Sequence, residues 1–156
     1  MKKNIALVLV ALVLVGCVHQ EFKPTKTALE LQSIQTREFE TNKKTGFAAT
    51  LSVFQDLGYV VSTASLETGL IHGKSPTNTS FVPFVGQVMK DIKATAFVEE
   101  IAKGRTKIRL NFVDSTQSSS GYGMKGATDN PIEDAKIYQD AFNKIQQGIF
   151  VRTNIN

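Results

Sequence analysis

Two runs of alternation, Asp91 to Ile101 and Lys107 to Val113, constrain the fold of this chain more than any other feature. Ile92, Ala94, Ala96 and Val98 take every second position of the first run, and Ile108, Leu110 and Phe112 do so in the second. Successive strand side chains point to opposite faces, so each run forms a strand with one apolar and one polar face. Lys103-Gly104 lies between them and suits a hairpin turn.

The segments on either side supply what covers that apolar face. Ser33 to Glu40 alternates through Ile34, Thr36 and Phe39 and predicts a first strand. Thr41 or Asn42 can cap a helix, and Phe47, Leu51 and Phe54, with Ala48 alongside, form one helical stripe. Gly58 suits a left-handed C-cap. Tyr59-Val60-Val61 opens a β-rich stretch, with a turn at Glu67-Thr68-Gly69 and a return strand over Leu70 to Lys74. Near the C-terminus, Asn130 caps, Pro131 takes the first helical position, and Glu133 and Asp134 complement the helix start. Ala135, Tyr138, Phe142, Ile145 and Ile149 follow as an apolar stripe. The order β-α-β-β-β-β-α predicts an α+β fold: an antiparallel sheet of about five strands with two helices packed on one face. Residues 75–90 read as neither a clean strand nor a clean helix, because Pro83 and Gly86 interrupt them. Residues 115–130 read as a Ser/Gly-rich polar loop.

The N-terminus sets the expected address. Lys2 and Lys3 precede an unbroken apolar run from Ile5 to Val15. As a helix that run spans roughly 17 Å, against a hydrocarbon core of about 30 Å, which suits an export-signal core better than a membrane span. Leu14-Val15-Gly16-Cys17 resembles the lipobox of bacterial lipoproteins, in which the cysteine is acylated and becomes the first mature residue. The expected organisation is a signal peptide over 1–16, acylated Cys17 and a polar tether over 17–32 with a short helical turn near Ala28–Leu31, and a single α+β periplasmic domain over 33–152. Val18 follows the cysteine where aspartate would favour inner-membrane retention, so the expected location is the outer membrane, facing the periplasm.

Processing changes the charge argument. The chain carries 18 basic and 14 acidic residues; without Lys2 and Lys3 the balance is 16 against 14, or +2. A near-neutral mature chain gives no reason to expect nucleic acid as a partner. Cys17 is the one cysteine, so acylation leaves no thiol for redox chemistry, thiolate catalysis or zinc.

A family resemblance follows from scattered motifs. Arg37-x-Phe39-x-Thr41, Phe54-Gln55-Asp56-Leu57-Gly58-Tyr59 and Gly69-Leu70-Ile71 are joined by Tyr138, Phe142, Lys144 and Phe150 downstream of Pro131. Together, over residues 33–150, they resemble a group of small, largely uncharacterised proteobacterial outer-membrane lipoproteins. Tyr59 stands where that group more usually has Phe, and the apolar insert after Gly-Leu-Ile is shorter here. The resemblance implies a fold and an address and brings no reaction.

Candidate chemistry is sparse. Gly121-Tyr122-Gly123-Met124-Lys125-Gly126 fits G-x-G-x-x-G, but a dinucleotide site needs those glycines at a strand-to-helix turn, and here Ser118 to Ser120 precede them. His19 and His72 are far apart and make no metal cluster. Glu99 and Glu100 are consecutive, so on a strand they face opposite ways. Asp56 is expected to hydrogen-bond the helix end or the turn after it, with a surface contact as the alternative. There is no G-x-S-x-G elbow. No catalytic residue, metal or cofactor is expected. Phe81, Val82, Phe84, Val85, Val88 and Met89 are the candidate contact residues; they either fold back over the open sheet face or form an exposed apolar patch for lipid or protein.

The expected function is a non-enzymatic, membrane-anchored lipoprotein acting as an interaction or assembly module of the cell envelope, with an envelope protein as partner. The alternative is a module that binds a lipid or cell-wall fragment through residues 81–89. A carboxylate hydrolase would need two of Asp91, Glu99, Asp114 and Glu133 to converge. Replacing Cys17 with serine should remove the acyl mass from the mature chain, read by intact-protein mass spectrometry.

Overall fold

The computed structural model describes residues 26–83, 85–120, 123 and 125–154. The elements run α1 (Ala28–Gln35), β1 (Thr36–Phe39), α2 (Lys43–Asp56), β2 (Val60–Ser65), β3 (Leu70–Lys74), β4 (Asn78–Val82), β5 (Gly86–Ala102), β6 (Arg105–Ser119), β7 (Lys125–Pro131) and α3 (Ala135–Asn154). The fold is α+β with an antiparallel sheet, as the alternation predicts, and has three helices and seven strands among the described residues.

The paired strands β5 and β6 form the spine. Their register is continuous from Gln87↔Ser119 to Glu100↔Thr106, with an irregularity before Ala102↔Arg105. One half of this hairpin is flanked by β3 and β1, giving the order β1-β6-β5-β3-β2. The other half is flanked by β4, through Asn78↔Lys90 to Val82↔Gly86, and by β7, through Val113↔Pro131 to Ser119↔Lys125. The same two long strands therefore serve two parts of one seven-stranded sheet: a broad part in the body and a four-stranded arm.

The body holds the core. Ala94, Ala96, Val98, Ile108, Leu110 and Phe112 are buried on one sheet face, under Ala49, Val53 and Phe54 of α2 and Tyr138, Phe142 and Ile145 of α3. Phe112 lies 5.2 Å from Tyr138 and 6.2 Å from Phe54 between ring centroids, while Phe39 meets Phe142 at 6.1 Å. Each such ring contributes about 1.5–3 kcal/mol by leaving water. The Tyr138 hydroxyl donates to Ile132 O at 2.8 Å and accepts from the Phe112 N–H at 3.4 Å. Gln35, itself buried, bonds Tyr138 and Asn111 through Nε2. These bonds satisfy a hydroxyl that is otherwise sealed from water.

Several boundaries differ from those the sequence predicts. Ser33 to Gln35 belong to α1, where Thr27 and Glu30 form a reciprocal capping box, so the first strand is only Thr36–Phe39. That helix straddles the expected tether boundary at residue 32, with Ile34 packed against the core. Pro131 ends β7 instead of starting a helix, and the missing N–H is harmless at an edge strand. Asp134 then provides the capping interaction, its Oδ1 accepting the Lys136 N–H at 2.9 Å. Residues 75–90 and 115–130 contain the extra strands β4 and β7 and the distal parts of β5 and β6. Both faces of the arm meet solvent, so its strands carry no apolar alternation to announce them.

Two glycines make a direct test of the turn geometry. Gly69 has φ +77°, and a Cβ there would run into the Val98 carbonyl, whose residue bonds back through its N–H to Gly69 O at 2.8 Å. Gly104 has φ +73° with open space around it. Gly104→Ala should cost about 1 kcal/mol from the left-handed backbone alone, whereas Gly69→Ala should cost several times more, measured by urea denaturation.

Candidate interaction surface

The arm is built from polar backbone pairing with little beneath it. Every residue of β4 is exposed, as are Lys125 to Asp129 of β7. Its end is a tight connection: Gly86 has φ +100° and its Cα lies against the Ser119 carbonyl, so a side chain there would displace the neighbouring strand. The Val85 N–H closes the turn on Val82 O at 3.1 Å. Pro83 falls within this turn, where its fixed φ and lost donor do no harm.

This places the candidate contact residues. Phe81 is 73% exposed, Val85 45% and Val82 38%, while Val88 and Met89 are half-buried along β5. Phe84 and Cys17 lie outside the described residues, as do Gly121, Tyr122, Met124 and His19. The described residues of the segment do not fold back over the sheet; they form the far end of the β4–β5 hairpin. A shallow recess of about 390 Å³ opens nearby, lined by Met89, Gln117, Lys125 and Ala127 among others.

At the base of the arm, charged pairs fasten the junction on the sheet face away from the helices. Lys74 Nζ approaches the buried Asp91 carboxylate to 2.8 Å. Lys93 Nζ reaches both Asp129 oxygens, at 2.8 and 3.1 Å. Ser75 adds a crossing stitch, its hydroxyl accepting the Ile92 N–H at 2.8 Å. The hydrogen bond from Lys93, and then one from Ser115, hold Asp129 below the ordinary carboxylate range.

The remaining candidates stay apart. Asp91 and Glu99 lie eight positions apart on one strand, roughly 26 Å at 3.3 Å per residue. Asp114 pairs opposite Ile92 and so points to the other face from Asp91. Glu99 is engaged with Lys107 at 2.9 Å, and Glu133 accepts the Lys26 N–H at 3.2 Å. Asp91, Glu99 and Asp114 thus form no convergent acid–base set. His72 is exposed on β3, its Nδ1 3.4 Å from Thr95 Oγ1. Asp56 does not close the helix end, which is made by backbone bonds from Leu57, Gly58 and Tyr59; it lies on the wall of a groove between α2 and α3. Among the described residues no group of His, Cys, Asp and Glu could hold a metal ion. No described helix is long and apolar enough to cross a membrane.

Sequence reasoning missed the arm as an element, although it singled out residues 81–89. The motif residues that carry the family resemblance serve the body instead. Phe39 and Phe142 pack together, Arg37 stacks over the Phe142 ring at 5.0 Å, and Thr41 O accepts the Thr106 hydroxyl at 2.8 Å.

No family model matches the chain, and no curated protein matches it in sequence. Among solved structures it is similar to a DUF4468 family protein from Bacteroides ovatus, at 9% identity and a TM-score of 0.40, over 73% of this chain and 84% of that one. A likeness so distant carries no functional argument.

The lowered pKa of Asp129 gives a signed expectation. Its stabilising contribution is present above the unfolded carboxylate range and is lost as pH falls through the lower, folded value. The difference in melting temperature between the wild type and Asp129→Asn should therefore shrink as pH drops below about 4, followed by thermal denaturation.

Proposed function

We propose that this chain is a non-enzymatic lipoprotein, anchored through acylated Cys17 in the outer membrane, whose body holds out the arm as an interaction or assembly module of the cell envelope. The supporting observation is the arm itself: strands with open edges that end in exposed Phe81, Val82 and Val85. Open strand edges bind by adding a partner strand, and apolar side chains add docking area; neither needs a catalytic group. The contact set in this proposal, for a partner or for lipid, is Phe81, Val82, Phe84, Val85, Val88 and Met89, with the free edge of β4 offered to a protein. Capture of a single lipid or cell-wall fragment in a cavity is a weaker reading, because Phe81 stands in solvent instead of lining one.

A photo-reactive side chain at Ser80, on the β4 edge, should give one discrete adduct with an envelope protein in intact cells. The same group at Gln139, on the outer side of α3, should give none. If both positions stay silent and the acylated protein sediments as a monomer without companions, the module reading fails.

A further inference from the structure

We infer that the tip of the arm is a second membrane contact, lodging Phe81 and Val85 in the headgroup region of the same bilayer that holds the lipid anchor. The inference rests on the lipoprotein reading and deepens it.

Three observations carry it. First, the chemistry of the tip is uniform. Residues 77–90 and 115–128 contain Lys90 and Lys125 and no aspartate or glutamate; the acidic residues lie at the base of the arm, where Asp91 and Asp129 pair with Lys74 and Lys93 and Asp114 is exposed. Exposed Phe and Val beside unpaired-sign lysines match an anionic lipid surface, which takes apolar side chains shallowly and attracts cations. Second, the apolar residues are concentrated at the far end. The β4 residues nearer the base, Asn78, Thr79 and Ser80, are polar, and the exposed apolar side chains begin at Phe81. Third, the reach fits. Nine residue steps separate Cys17 from Lys26, at most roughly 30 Å of chain. Lys26 is held by Glu133, two residues beyond the end of β7, so the tether enters beside the base of the arm. From there the arm projects roughly 20 Å to Lys125, six steps at 3.3 Å, before the turn at its end. The tether therefore outreaches the arm, and tip and anchor can meet one leaflet together. Two attachments would fix the orientation of the body, leaving the strand edges for a protein.

The test uses the acylated protein in vesicles of phosphatidylethanolamine and phosphatidylglycerol, carrying Val85→Cys labelled with an environment-sensitive fluorophore. Asn143→Cys, on exposed α3, is the control. Lipids bearing a shallow spin label should quench the label at 85 and leave the one at 143 bright. Phe81→Asp, or Lys90→Glu with Lys125→Glu, should reduce quenching at 85 severalfold, while mass spectrometry still finds the acyl group. An acylated sample whose label at 85 remains bright overturns the inference and leaves the anchor standing. So does a label shielded only when envelope proteins are added, which would assign the tip to a protein. An absent acyl group fails the anchor reading instead; the label on that sample still reports whether the tip seeks lipid by itself.

Discussion

One hydrogen-bonded ladder, between β5 and β6, supports everything else in this protein. It is much longer than the strands beside it, 17 and 15 residues against four to seven, and each flanking strand except β2 pairs directly with it. An isolated hairpin of that length would be marginal in water. Here α2 and α3 cover half of it, and the aromatic cluster around Phe112 keeps that half dry. The other half gains its order by continuity. Its strands leave the core already paired and in register, and β4 and β7 extend the pairing outward.

This division explains what could be read from the chain. Where the sheet is covered on one side, side chains alternate, and Ala94, Ala96, Val98, Ile108, Leu110 and Phe112 give away strand, register and core face together. The helices are equally legible from Phe47 and Phe54 and from Tyr138, Phe142 and Ile145, all of which are buried. Gly58 has positive φ, as a C-cap requires. Gly69 does too, and its site is shaped by the Val98 backbone, a long-range contact that no local pattern contains.

The arm was illegible for the complementary reason. Thr116 to Ser119 pair with Lys125 to Thr128 through the backbone, and with water on both sides their side chains answer to no period. Composition then reads as loop. The start of α3 is ambiguous in the sequence for a similar reason. Asn130-Pro131 and Asp134 are both plausible openings for a helix, and the choice between them is made by the pairing of Pro131 with Val113. The contact residues stood out because Phe and Val are conspicuous in a polar neighbourhood, even though the hairpin that displays them did not.

The shared strands also have a mechanical consequence. The tip is joined to the body by two uninterrupted backbones instead of a hinge, so tension applied there runs along the strands and loads their cross-links in shear. Many hydrogen bonds then resist at once, in place of unzipping in turn. A body tugged at its far end would transmit that pull to the aromatic cluster beneath α2 and α3 before the arm peeled away.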